Sequence, residues 1–157
     1  MRRPALGGRG DRRGGRSDPV AWTAGPPRFL PRGDRAGHSR INGLVIAQGD
    51  VCWAELPDPA GSGPGFRRPI VVVQADPFNR SSLQTVVCVA LTSNRRWARS
   101  PGNVELSERD SHLPRRSVAN VTQLVTIDRD RLEVVGRLPP AKLELILHGI
   151  DLVLGRR

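Results

Sequence analysis

Two continuous apolar runs constrain this chain more than any other feature. Ile70-Val71-Val72-Val73 follows Phe66-Arg67-Arg68-Pro69 and ends at Gln74, and Val86-Val87-Cys88-Val89-Ala90-Leu91 ends at Thr92. Short runs without polar alternation fit strands buried on both faces. Each carries polar chemistry at one end: an arginine pair and a proline where the first begins, a threonine where the second closes. A packed strand edge presenting a guanidinium and a hydroxyl can hold a phosphate. The same residues also fit two core strands with ordinary solvated ends.

A chain of 157 residues has room for one domain with a real core. No apolar run approaches the ~20 residues that span a bilayer. The charged N-terminus lacks the apolar stretch of a secretory signal. Cys52 and Cys88 both fall inside expected strands and form neither a metal pair nor a disulfide framework. Free buried thiols in a reducing compartment are expected, which points to the cytoplasm. Charge is uneven: of the net +10, residues 1–40 hold ten Arg and three Asp, while the remainder holds fifteen basic and twelve acidic residues. Lys142 is the one lysine, a bias that cautions against reading every arginine as functional.

Residues 1–43 read as a disordered, basic, Gly/Pro/Arg-rich extension without apolar periodicity. It fits an inert leader or an arm attracted to nucleic acid. An ordered domain is expected over 44–157. Strands are expected at 45–56 with Gly49 as a bulge, at 69–74, 85–92, 103–106, 117–126 and 132–137. Residues 57–68 form a Pro/Gly/Ser loop, 75–84 a polar connection, and 93–102 an Arg-rich loop. The period then changes from two to 3.6. Pro139-Pro140 can start a helix. Leu143, Ile146, Leu147, Ile150, Val153 and Leu154 share one stripe, and Gly155 can stop it. Leu145 and Leu152, beside Gly149, make a second apolar strip that fits a subunit contact or tolerated surface leucines. The fold class is mainly β (α+β): a small, strongly bent antiparallel sheet with one C-terminal helix.

His38, His112 and His148 fall in the tail, a loop and the polar side of the helix, so no histidine acid–base pair is expected. Asp128-x-Asp130 reads as a turn. No metal or other cofactor is expected. Gly61-Ser62-Gly63-Pro64-Gly65 lacks the ending of a Walker phosphate loop. Arg95-Arg96-Trp97-Ala98-Arg99 offers phosphate-neutralising cations and a stacking face for an unpaired base, or is a solvated loop whose tryptophan packs inward.

Taken in order, Gly49-Asp50-Val51 with Trp53, Gly61-Ser62, Arg68-Pro69-Ile70-Val71-Val72-Val73-Gln74 and Asp76-Pro77-Phe78-Asn79 resemble the MazF/PemK toxins. So do Leu91-Thr92-Ser93, Pro101-Gly102-Asn103-Val104, Ser117-Val118-Ala119-Asn120-Val121-Thr122 and the closing helix. The resemblance covers roughly residues 45–155, is closest to actinobacterial members, and leaves out the tail. It implies an SH3-like barrel acting as a homodimer, and a sequence-specific, metal-independent endoribonuclease (mRNA interferase) that cleaves single-stranded RNA. It also implies neutralisation by an acidic MazE-like antitoxin. The family's catalytic arginine falls on Arg68 and its catalytic threonine on Thr92. Gln74, Asn79, Ser93, Asn94, Arg95, Trp97, Asn120 and Gln123 are then candidate RNA contacts, each of which could instead satisfy buried backbone. Arg67 would be a phosphate contact or a surface charge.

Two alternatives remain open from the sequence. One is a gyrase poison of the CcdB type on the same fold, against which the ending Leu154-Gly155-Arg156-Arg157 counts. The other is a non-catalytic SH3-like RNA-binding module, which needs neither Arg68 nor Thr92.

Overall fold

A computed structural model describes residues 45–59 and 61–156; the extension expected over 1–43 lies outside them. The chain forms β1 (Asp50–Leu56), β2 (Phe66–Val72), α1 (Asp76–Asn79), β3 (Thr85–Thr92), β4 (Val104–Leu106), α2 (Glu108–Ser111), β5 (Ser117–Asp128), β6 (Leu132–Arg137) and α3 (Pro140–Val153), with 3-10 turns at Arg95–Arg99 and Arg129–Arg131. One antiparallel sheet runs in the order β4-β5-β3-β2-β1-β6.

The apolar run in β2 is buried on both faces because it feeds two cores. Val71 joins a cluster with Val51, Val89, Leu91, Val121 and Ile146. Ile70 and Val72 join the other, with Cys52, Ala54, Val86, Cys88 and Ile127. Alternate residues point to opposite faces of a strand, so a run without alternation needs apolar cover on each side. The run in β3 behaves alike except at Val87, which is exposed. Both cysteines are free and buried, and burial pushes the Cys52 thiol up to about 12.

The sheet curls where β5 changes register. Val89 pairs with Leu124, yet Leu91 pairs with Ala119, so β5 bulges over 120–123. Asn120 secures the bulge: its carbonyl oxygen accepts from the Thr122 hydroxyl at 2.8 Å and the Thr122 N–H at 3.3 Å. Asn103 accepts from the Val121 N–H at 3.0 Å.

The first strand starts later than its sequence suggests. Gly49 sits at φ +91° in a turn, and the buried Asp50 carboxylate accepts from the Ala47 N–H and from Arg137 Nε, each at 2.8 Å. Those bonds shape residues 45–49 as a turn rather than extended strand. The bulge of β1 against β6 lies between Val51 and Cys52 instead. The second strand starts earlier, at Phe66, which shortens the hairpin loop. Helical turns occupy part of the expected loops at 76–79 and 95–99, and α2 was not expected at all. That last turn is closed by a capping box between Ser107 and Asp110.

Helix α3 begins at Pro140 as expected. Ile146 is buried in the core, with Leu147 and Ile150 packed against it. Val153 and Leu154 run out into solvent, because the helix extends past the sheet it covers. Leu145 and Leu152 are exposed, each at 53%. Gly149 lets the helix touch the Gly102 carbonyl; any Cβ there would collide with that backbone oxygen. Lys142 ties the helix to β4, donating from Nζ to Glu105 O at 2.9 Å.

Gly149→Ala is therefore expected to destabilise the fold by about 1–3 kcal/mol, the usual scale of overpacking, read as a lower urea midpoint. Gly63→Ala, which meets open space, should leave that midpoint near the wild-type value.

Candidate functional site

The ladder between β2 and β3 ends at Ile70↔Ala90, while β2 stays paired to β1 as far as Phe66↔Leu56. Pro69, which has no N–H to donate, stands where β2 leaves β3. The next positions in that register would set Arg68 opposite Thr92, on the same face. The strands part there, and a cleft of about 350 Å³ opens, lined by Trp53, Arg67, Arg68, Pro69, Leu91, Thr92, Ser93, Leu113, Pro114, Arg115 and Ser117. Carboxylates and imidazoles are absent from this lining.

Arg68 is half-buried, and its Nε donates to Gly65 O at 2.8 Å. That bond fixes the guanidinium from behind and leaves its two terminal nitrogens for a ligand. Among the described residues Arg68 faces no carboxylate within ion-pair distance. Arg67 differs. It bonds Glu133 at 2.7 Å and Glu55 at 3.3 Å and lies over the Trp53 ring at 5.4 Å. The hydrogen bonds it donates to Glu133 first and Glu55 second raise its pKa. Its charge is compensated within the protein.

Thr92 Oγ1 accepts the Asn94 N–H at 3.1 Å. With an acceptor site occupied, the hydroxyl proton is directed elsewhere and can be donated to an anion. Ser93 is exposed at the cleft beside it. Asn94 caps the following 3-10 turn, accepting from the Arg96 N–H at 3.2 Å. Arg95 and Trp97 are not among the residues lining this cleft. Arg95 lines a separate surface depression with Arg96, Ala98, Arg99 and Glu105 and bonds Glu105 at 3.1 Å. Trp97 is exposed at 45% rather than packed inward.

Four of the sequence candidates have partners within the fold. Asn79 is 2% exposed; it donates to Gln74 O at 2.8 Å and Asp76 Oδ1 at 3.2 Å and accepts from Gln74 Nε2 at 3.0 Å. Arg129, itself buried, donates to Asn79 O at 2.6 Å. Gln74 also accepts from the Val87 N–H at 3.3 Å. These two amides replace strand pairing where the chain turns between β2 and β3. Asn120 is 3% exposed and secures the β5 bulge. Gln123 donates to Ser62 O at 3.0 Å and so ties the β1–β2 loop to β5.

The cleft also contains residues that sequence reasoning missed. Leu113, Pro114, Arg115 and Ser117 form its outer wall. They have no periodic signal, because the wall is an irregular segment set by a single left-handed residue, His112 at φ 58°. Among the described residues, no three His, Cys, Asp or Glu side chains converge as metal ligands. No helix among them is long and apolar enough to cross a membrane.

Comparison with known proteins finds a family model, relatives and solved structures similar to this chain. Residues 47–154 match the family model of the PemK-like, MazF-like toxin of type II toxin-antitoxin systems. The endoribonuclease MazF6 of Mycobacterium tuberculosis is 42% identical over 112 residues, covering 71% of this chain and 98% of that protein. The endoribonuclease EndoA of Bacillus subtilis is 36% identical over 89 residues, 57% of this chain and 76% of that one. In structure, MazF from Deinococcus radiodurans superposes with a TM-score of 0.60 at 24% identity, covering 71% of this chain and 98% of its own. A mycobacterial endoribonuclease in complex with its cognate antitoxin superposes with a TM-score of 0.56 at 26% identity, covering 70% and 95%.

The network around Asn79 carries a pH dependence. Asp76 accepts the Gln48 N–H at 2.7 Å, and that bond, before the one from Asn79, lowers its pKa. A lowered folded pKa gives stability that is complete above the unfolded value of about 3.9 and is lost as pH falls through the folded one. Asp76→Asn should be less stable than wild type at neutral pH, with the gap closing as pH drops through the carboxylate range. Paired urea titrations across that range would show it; a gap independent of pH would remove Asp76 as the source.

Proposed function

The chain belongs to the PemK-like, MazF-like toxins of type II toxin–antitoxin systems, and we propose that it is a sequence-specific endoribonuclease toxin cleaving single-stranded RNA in the cleft between β2 and β3. The observation that carries this reading is the pairing of Arg68, a guanidinium without a carboxylate partner among the described residues, with a donor hydroxyl, Thr92, in that cleft.

The chemistry is a transesterification. The ribose 2′-oxygen bonds to the adjacent phosphorus as the P–O5′ bond breaks. A 2′,3′-cyclic phosphate and a 5′-hydroxyl result. The 2′-OH proton leaves to solvent, and the departing 5′-oxygen takes one from solvent. Negative charge grows on the non-bridging oxygens, where two guanidinium N–H groups and the Thr92 hydroxyl can meet it. Arg68 acts by electrostatic stabilisation, its free N–H groups meeting the charge that grows on the phosphate oxygens. The reaction needs no metal in this reading.

The toxin acts in the cytoplasm, where its two free, buried thiols remain reduced. Leu145 and Leu152 support a homodimer: both are exposed and line a groove of about 400 Å³ between α3 and β4. An acidic MazE-like antitoxin with a flexible tail would neutralise it by occupying the electropositive cleft and excluding RNA. The complex of a related mycobacterial endoribonuclease with its antitoxin supports that partner class. Relatives named as endoribonucleases favour this reading over a CcdB-type gyrase poison or a non-catalytic RNA-binding module.

Long RNA incubated with the purified protein and excess chelator should yield discrete fragments. A single 2′-deoxy nucleotide 5′ to the scissile phosphate should block cutting there; normal cutting would overturn the mechanism. Arg68→Ala should lose activity by on the order of 10² or more, with Thr92→Ala also impaired and both still folded. Full activity in either folded variant would remove that residue from the site. Leu145→Asp with Leu152→Asp should shift sedimentation from dimer to monomer. A wild-type monomer at micromolar concentration would dismiss the dimer.

A further inference from the structure

Arg115 stands on the wall of the cleft opposite β2, and nothing in the fold accounts for it. Four arginines lie in or beside the cleft, and three already have protein contacts. Arg67 is compensated by Glu55 and Glu133. Arg68 is fixed by Gly65 O. Arg116 turns toward Glu108, at 3.7 Å. Arg115 lines the cleft, is exposed, and has no carboxylate in ion-pair distance among the described residues.

Its support is rigid although its side chain is free. Leu113 is buried at 5% and Ser117 at 4%, so the segment is pinned on both sides of Arg115. Ser117 Oγ donates to Arg115 O at 3.2 Å. His112 adopts the left-handed conformation that ends α2, and its ring lies against Gly136, where any Cβ would strike it. Such a conformation is unusual for a residue other than glycine and is maintained by the surrounding structure. The result is a second guanidinium in the cleft lining, without a carboxylate partner among the described residues, carried on an anchored stretch of backbone.

We propose that Arg115 binds the phosphate next to the scissile one, so that Arg68 and Arg115 grip consecutive phosphates and set which linkage lies at Thr92. The inference rests on the endoribonuclease reading above and extends it to the register of the strand. Single-stranded RNA carries a phosphate at every nucleotide, so a strand held at one phosphate by Arg68 brings a neighbour to the far wall. A guanidinium there can fork two donors onto its oxygens. Such a contact positions the strand without reading its bases. Arg115 thus contributes to substrate binding, whereas Arg68 contributes to the transition state.

The test uses an oligonucleotide made uncleavable by one 2′-deoxy nucleotide, with binding followed by fluorescence anisotropy across a salt series. Arg115→Ala should weaken binding about tenfold and reduce the slope of log K against log salt by about 1. In cleavage assays KM should rise with little change in kcat, opposite to Arg68→Ala, which should lower kcat. Arg115→Lys should keep the slope but recover only part of the affinity, since an ammonium cannot fork. It also keeps the test decisive if Arg115→Ala melts early. Arg116→Ala is the control and should bind as wild type does. A neutral methylphosphonate replacing one of the two phosphates flanking the scissile position should weaken wild type and leave Arg115→Ala unaffected. If both flanking replacements weaken the two proteins equally, or if Arg115→Ala retains the wild-type slope, the assignment is wrong. If wild type neither binds nor cleaves RNA, the endoribonuclease reading fails first, and the assignment falls with it.

Discussion

The structure depends on one strand being apolar on both faces and then ceasing to pair on one edge. Ile70, Val71 and Val72 knit two hydrophobic clusters on opposite sides of the sheet. A strand committed to two cores cannot slip in register without exposing one of them. That rigidity continues to Pro69, where the pairing with β3 ends while the pairing with β1 goes on. The cleft is the gap left by that one-sided departure. Arg68 and Thr92 sit just past the last β2–β3 pair, Thr92 as the final residue of β3.

Arginine is abundant here, so the useful distinction among arginines is what each one faces. Arg67 has two carboxylates and an indole, Arg95 has Glu105, and Arg137 has the buried Asp50. Arg129 is turned into the protein, bonded to Asn79 O. Neighbours in sequence can have opposite roles, as Arg67 and Arg68 do, because adjacent strand residues project to different sides. No count of basic residues separates them; the separation comes from strand pairing with β1 and β6, which brings Glu55 and Glu133 to Arg67 alone.

Much of the fold was legible because its signals are local and periodic. Unbroken apolar runs marked β2 and β3, and the change of period at Pro139-Pro140 marked α3. The turn before β1 was not legible, because the Asp50 carboxylate that shapes it takes a partner from Arg137, far along the chain. Helix α2 was missed since four residues closed by a capping box carry too little pattern. In the site, Arg68 and Thr92 were reached through family resemblance and the run ends, while Asn79 and Asn120 stayed open between RNA contact and buried backbone, and in the fold both bond backbone. An amide looks the same in sequence whether it faces a ligand or completes backbone bonding at a turn or bulge. The outer wall with Arg115 was invisible for the converse reason: its position derives from the backbone angle of His112, not from any residue pattern.

The cleft's lining holds guanidinium and hydroxyl groups but no carboxylate and no imidazole. Every charge on that lining is of one sign. The cleft therefore attracts an anion and has no group in its own lining to repel one. Whatever fills such a cleft must bring the missing negative charge with it.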